Sequence, residues 1–324
     1  MPTATWQQLK SILPPDAGPE REVAIVDMVR AGFYVEPVWL PVVVTDGSLK
    51  LTFHVMAEPL RLGDETDSVY PMVSAATAQA IADLLGARLP TSKMLDAVAE
   101  QADCFLDFGR LMADVADMTT DAMERQSRRI DQLAADCPAG KLRSTPGKQW
   151  VVSSRLSFPD QFKWGKRTAC NYGGWTKLPA GQHSKRPWPA LTAPSLRIWQ
   201  PMGFTHNDSH TDYSQLAPQL VSKLVTVKSP SLGTVKRPID EVAINPLTAH
   251  LVSAEGPVPM RMPWLAACQS LAEGGQCPPS PTAPPSPPPV VPPPVVPPPV
   301  SRAAAFWVTL MALGAATAYY LLRE

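Results

Sequence analysis

Between Glu20 and Arg30 (EREVAIVDMVR) apolar residues recur at the three-to-four-residue spacing that gives a helix one apolar face. Two β-rich runs follow, Val38 to Val44 and Leu49 to Val55, joined through Thr45, Asp46, Gly47 and Ser48. An Asp-Gly step between apolar, β-branched runs predicts a hairpin. Ser74 is placed to cap a helix over residues 75–86, with Gly86 near its end. Thr91, after Pro90, is placed to cap the next (SKMLDAVAEQA). A longer helical stretch is expected over residues 111–135. From Trp150 onward turn residues, prolines and short apolar runs predict short strands. Helices early and strands late give an α+β domain. Its expected bounds are residues 20–270, after an N-terminal extension over 1–19. A helix-rich part (20–135) and a strand-rich part (136–270) are its natural subdivision.

The pattern then changes character. Residues 271–301 read as a proline-rich linker: between Pro278 and Pro299, 14 of 22 residues are proline. Proline fixes φ and removes the amide donor, so polyproline II is expected, with a reach of about 70 Å at roughly 3.1 Å per residue. It serves as a spacer or as a docking site for a proline-binding domain. Ala303 to Leu322 carry no charge (AAAFWVTLMALGAATAYYLL). A helix of that length spans roughly 30 Å, the thickness of a bilayer core. Trp307, Tyr319 and Tyr320 suit the two interfaces. Residues 302–324 are therefore read as a single transmembrane anchor. Ala312 with Ala316 and Gly314 with Ala318 are small-residue pairs that permit a homodimer through this helix.

Charge adds one fact. Residues 1–120 hold 8 Lys/Arg against 17 Asp/Glu, and residues 121–200 hold 14 against 5. The halves either pair their charges on folding or present a basic surface to an anionic ligand. The five cysteines form no C-x-x-C pair, so buried free thiols are expected. A Cys268–Cys277 bridge would need an oxidising compartment. The N-terminus lacks the basic-then-apolar pattern of a secretory signal. A cytoplasm-facing tail anchor is the default expectation, and an envelope-facing domain the alternative.

Candidate chemistry concentrates in Phe204 to Gln215 (FTHNDSHTDYSQ). His206, His210 and Asp212 offer imidazoles and a carboxylate, the ligand types of zinc or another divalent metal. Without metal, a histidine oriented by Asp212 acts as general base, with Tyr213 or Ser214 as hydrogen-bond donor or nucleophile. A polar loop satisfying its own backbone is the plain alternative, since Asn, Asp, Ser and Thr dominate the segment. A second candidate region interleaves Trp150, Trp164, Trp175, Trp188 and Trp199 with cations. From it Trp175, Lys177, His183, Lys185 and Arg186 are candidate substrate-binding residues. No helix-turn-helix, Rossmann, P-loop or G-x-S-x-G pattern is present, so nucleic-acid binding is not expected.

LPTSKMLDAV (89–98), NYGGW (171–175), HTDYSQ (210–215) and LVSAEGP (251–257) occur in this order. Together they resemble an uncharacterised bacterial family, mostly of secreted or envelope proteins, with strings such as LPTRKMVDAI, IYGWH, DYSHG and LSDEGP. The resemblance covers roughly residues 20–258. It implies that Asp212, Tyr213 and Ser214 belong to the family's most distinctive motif. Gln215 stands where that motif has histidine, and Gly173-Gly174-Trp175 departs from Gly-Trp-His. The chain is thus expected to be a membrane-anchored protein with a hydrolase-like domain for an anionic or carbohydrate-containing envelope substrate. The alternative is a non-catalytic binding or scaffold module displayed on the stalk.

Truncation after about residue 276 should leave a soluble, folded protein, because the linker's prolines cannot join a helix or central strand. Gel filtration and far-UV circular dichroism check this; an aggregated or unfolded product refutes it.

Overall fold

The computed structural model describes residues 4–108, 118–178, 196–231 and 233–263. The chain divides into two units, Met1–Ser280 and Pro281–Glu324, and all described residues belong to the first. The expected linker and anchor lie outside the described residues. Among the described residues no helix is long and apolar enough to cross a membrane.

The first unit is an α+β mixture. It opens with α1 (Trp6–Lys10) and α2 (Pro19–Arg30), then β1 (Trp39–Asp46), β2 (Leu49–Met56), β3 (Leu62–Gly63) and β4 (Ser68–Val69). Next come α3 (Ala75–Leu84), β5 (Ala87–Arg88), α4 (Ser92–Gln101) and α5 (Thr120–Leu133). The second half holds β6 (Lys148–Val151), β7 (Thr168–Lys177), β8 (Leu196–Asn207), β9 (Val221–Ser222), β10 (Leu224–Ser229), β11 (Gly233–Pro238) and α6 (Ile239–Ile244).

Local chemistry sets these boundaries as expected. β1 and β2 pair antiparallel from Trp39↔Met56 to Asp46↔Leu49. Gly47 closes their turn at φ +54°, a conformation glycine adopts without steric cost. Ser74 accepts from the Thr77 amide at 3.3 Å and Thr91 from the Met94 amide at 3.2 Å, satisfying orphan donors at the starts of α3 and α4.

Two divisions suggested by the sequence do not hold. Residues 1–19 are more than an extension: Trp6 is fully buried and Leu9 nearly so, both in the main core cluster. Nor is there a break near residue 135. One sheet runs β11-β10-β2-β9-β5, with β1 also on β2, so strands from both halves alternate within it. A short β3–β4 pair and an antiparallel β6-β7-β8 sheet complete the strands. The main cluster draws on all these parts, including Phe53, Ile81, Trp150, Tyr172 and Met262.

Ion pairs across the chain offset the charge asymmetry only in part, through Arg128–Asp67 and Arg143–Glu58, because Arg61–Asp131 and Lys10–Glu124 pair the minority charge of each region. Arg128 meets Asp67 at 2.6 Å, Arg61 meets Asp131 at 2.8 Å and Lys10 meets Glu124 at 2.8 Å. Arg143 pairs with Glu58.

Cysteine use also departs from expectation. Cys104 and Cys137 form a disulfide, their Cα atoms 5.6 Å apart, and Cys170 is a buried free thiol. Residues 33 apart become neighbours because the Cys104 strip pairs with Arg143 in a parallel bridge. Sequence spacing carries no sign of such a contact. Cys268 and Cys277 lie outside the described residues.

Replacing Cys104 and Cys137 together by serine should lower stability by about 2–4 kcal/mol, the usual effect of opening a loop of this size. Urea unfolding of the oxidised protein and the double variant measures it; equal midpoints would refute the assignment.

Candidate active site

β7 lies between β6 and β8, and directly paired residues point to the same side of a sheet. Ala169 pairs with His206, Asn171 with Gly203 and Trp150, and Gly173 with Lys148. Lys148, Asn171 and His206 are thereby set along one stretch of sheet. After His206 the chain turns at residues 207–210, where the His210 amide donates to the Asn207 carbonyl at 3.3 Å.

Several bonds pin the segment that follows. The Ala76 amide, in the first turn of α3, donates to the Asp208 carbonyl at 3.0 Å, and Arg167 grips the Asp208 carboxylate from 2.7 Å. Thr211 Oγ1 donates to Glu22 Oε1 at 3.0 Å, while Glu22 Oε2 accepts from the Ser74 amide at 2.9 Å. Lys148 donates its amide to the Ser214 carbonyl at 2.6 Å and accepts from the Leu216 amide at 3.3 Å. Helices α2 and α3 and strand β6 thus fix the segment from three directions.

The result brings His206, His210 and Asp212 together, with one donor atom from each within 4.8 Å of the others. The two imidazoles stack at 3.9 Å between centres and 3° from parallel. The helix-like i, i+4 spacing plays no part: His206 ends a strand and His210 sits just past a turn. His210 Nε2 is buried without a hydrogen-bond partner among the described residues. Asp212 Oδ1 accepts from the Ser214 amide at 2.8 Å and from Ser214 Oγ at 2.6 Å. Asp212 Oδ2 accepts from Lys148 Nζ at 2.8 Å.

Charge follows this geometry. Burial, the neighbouring His210 and the Lys148 ammonium lower the His206 pKa to about 4. His210 is lowered by burial as well, Asp212 opposing the shift. Both rings therefore favour the neutral form near pH 7, which leaves a nitrogen on each able to accept a proton or a cation. Burial pushes the Asp212 carboxyl up, but the Lys148 ammonium and the two Ser214 donors outweigh it and hold it below 3.8.

The other candidates divide. Ser214 is 3% exposed and donates Oγ to the Asp212 carboxylate, a bond that orients Asp212. Tyr213 is half-buried against the main core cluster. Trp175 is fully buried, with Nε1 donating to Asp96 at 3.1 Å, so its ring is core and not a stacking surface. Lys177 is exposed, its ammonium 4.8 Å from the Phe105 ring centre. His183, Lys185, Arg186 and Trp188 lie outside the described residues. Trp164 is 42% exposed and donates Nε1 to the Thr205 carbonyl, one residue from His206. Lys163, 4.9 Å from its ring centre, adds to the depression of the His206 pKa.

Lys148 escaped the sequence reading. It is 64 residues from Asp212, in a stretch with no motif, and only strand pairing brings the two together. Two buried amides beside it were missed for the same reason. Gln215, in a parallel bridge with Lys148, and Asn171 both leave side-chain atoms without a hydrogen-bond partner among the described residues.

The familiar strings turn out to be joints of the fold. Asp96 of the first accepts from Tyr172 Oη at 2.8 Å and from Trp175 Nε1, both in the second. Thr91 Oγ1 donates to the Val252 carbonyl in the last. Gly174 has φ +72°, and a Cβ there would meet the Phe108 ring at 2.8 Å, so the glycine that breaks the Gly-Trp-His pattern is required here. No protein-family model, curated protein or solved structure matches the chain. The resemblance therefore rests on the four strings alone.

Lys148→Met should cost about 1.5–3 kcal/mol near neutral pH, the range for a hydrogen bond to a charged group. Asp212 has a lowered folded pKa, so its contribution is complete above 3.8 and is lost as pH falls through the lower folded value. The wild-type advantage over Lys148→Met should shrink in that acid range. Urea unfolding at several pH values measures it, and a constant difference would refute the coupling.

Proposed function

We propose that the first unit is a hydrolase-like domain acting on an anionic or carbohydrate-containing substrate of the cell envelope. The convergence of His206, His210 and Asp212, from a strand end, a turn and a pinned loop, carries this reading. The neutral His210 imidazole, with the Asp212 carboxylate beside it, is the candidate to accept a proton from an attacking water, and Lys148 holds that carboxylate charged from 2.8 Å. Trp164 and Lys163 beside His206 offer an aromatic face and a cation to a sugar or acidic group.

The Cys104–Cys137 disulfide favours the envelope-facing alternative over the cytoplasmic default, since such bonds persist in oxidising compartments. The domain is then displayed from the membrane by the residue 302–324 helix on its proline-rich stalk. A second reading, a non-catalytic binding or scaffold module, draws on Ser214 and Asp212: both are committed to each other and to Lys148, as in a structural network.

The full-length chain in detergent should cleave at least one member of a panel of phosphoester, carboxylic ester and glycoside substrates and isolated envelope glycan. His210→Ala and Asp212→Ala should each reduce the rate by about a hundredfold or more, the scale of losing a general base. If both variants fold and leave cleavage and ligand binding unchanged, the hydrolase reading fails.

A further inference from the structure

We infer that His206, His210 and Asp212 bind one divalent transition-metal ion of the zinc class. Their donor atoms already lie within 4.8 Å of one another. A tetrahedral site with bonds of about 2.0–2.1 Å has ligand–ligand edges of roughly 3.4 Å. Ligation by both histidines requires the rings to leave their parallel stack, 3.9 Å between centres, and rotate so that their in-plane lone pairs converge.

Two further features fit a cation. His210 Nε2 is buried with no hydrogen-bond partner among the described residues, a costly arrangement unless the nitrogen has a use. Asp212 Oδ1 is held by both Ser214 donors, which orients the carboxylate as outer partners orient metal ligands. Lys148 Nζ stands at the other oxygen, Oδ2, and its charge opposes a second cation beside it. A metal would compete with that ammonium or share the carboxylate with it. Two imidazoles and one carboxylate leave a fourth position for water or substrate, as catalytic zinc sites do and closed structural sites do not.

This inference rests on the same three residues as the hydrolase reading and assigns them a ligand. The test uses the full-length chain in detergent, stripped of metal by a chelator. It is titrated with Zn²⁺ by calorimetry and with Co²⁺ by visible absorption. Binding of about one equivalent is expected, with cobalt spectra of nitrogen and oxygen ligation and no thiolate band. His206→Gln and His210→Gln should each weaken binding by about tenfold or more, with circular dichroism unchanged. His250→Gln should leave binding unaltered, because His250 pairs with Asp46 elsewhere, at 3.1 Å. Lys148→Met should tighten binding by removing the competing ammonium.

No stoichiometric binding by the folded chain, or binding that survives the His206→Gln/His210→Gln double variant, overturns the inference. Hydrolysis undiminished by chelation also overturns it and leaves the hydrolase reading standing. Metal binding with no hydrolysis supports it and sinks that reading.

Discussion

Lys148 ties the segment carrying Asp212 to the β6-β7-β8 sheet three times. Its amide and carbonyl pair with Ser214 and Leu216, and its ammonium reaches Asp212. The backbone bonds fix where the segment runs, and the side chain fixes the charge state of the carboxylate. His206 reaches the same place by strand pairing with Ala169. Lys148 adds to the Thr211–Glu22 and Arg167–Asp208 bonds that also hold the segment, and it alone among these partners touches the Asp212 carboxylate with a positive charge. A buried carboxylate needs a partner to remain charged, and Lys148 provides it locally.

The same economy appears around Asp96. One buried carboxyl oxygen receives both Tyr172 and Trp175, tying α4 to β7. Thr91 at the start of α4 also reaches the Val252 carbonyl, so the short strings scattered over the sequence meet in the core. Three of the four strings therefore act mainly as joints, and the chemistry gathers at HTDYSQ and at Lys148, which no string contains. Trp175 illustrates the division. Its residue type and basic surroundings fit a binding surface, and its burial makes it part of the packing.

Ion pairs join distant parts of the chain in the same way. Arg128–Asp67, Arg61–Asp131 and Arg143–Glu58 link α5 and the residue 143 strip to the chain around β3 and β4. Partly exposed pairs like these contribute little stability each, about 0–1 kcal/mol. Their effect is to fix neighbours.

Local chemistry was legible along the chain. The Asp46-Gly47 turn, the Ser74 and Thr91 caps and the run that became α2 each depend on residues a few positions apart. The α+β class of the first unit and the polar richness of residues 204–215 were legible for the same reason. Contacts between distant residues were not. The disulfide partner of Cys104, the core place of Trp6, the sheet shared by both halves and the role of Lys148 depend on strand pairing across tens of residues. Composition and periodicity record only which residues are present and how they alternate. The sequence by itself determined helices α2, α3 and α4, the hairpin and the residue types on offer. The tertiary structure decided which of them meet, because burial and pairing are properties of the assembled sheet and core.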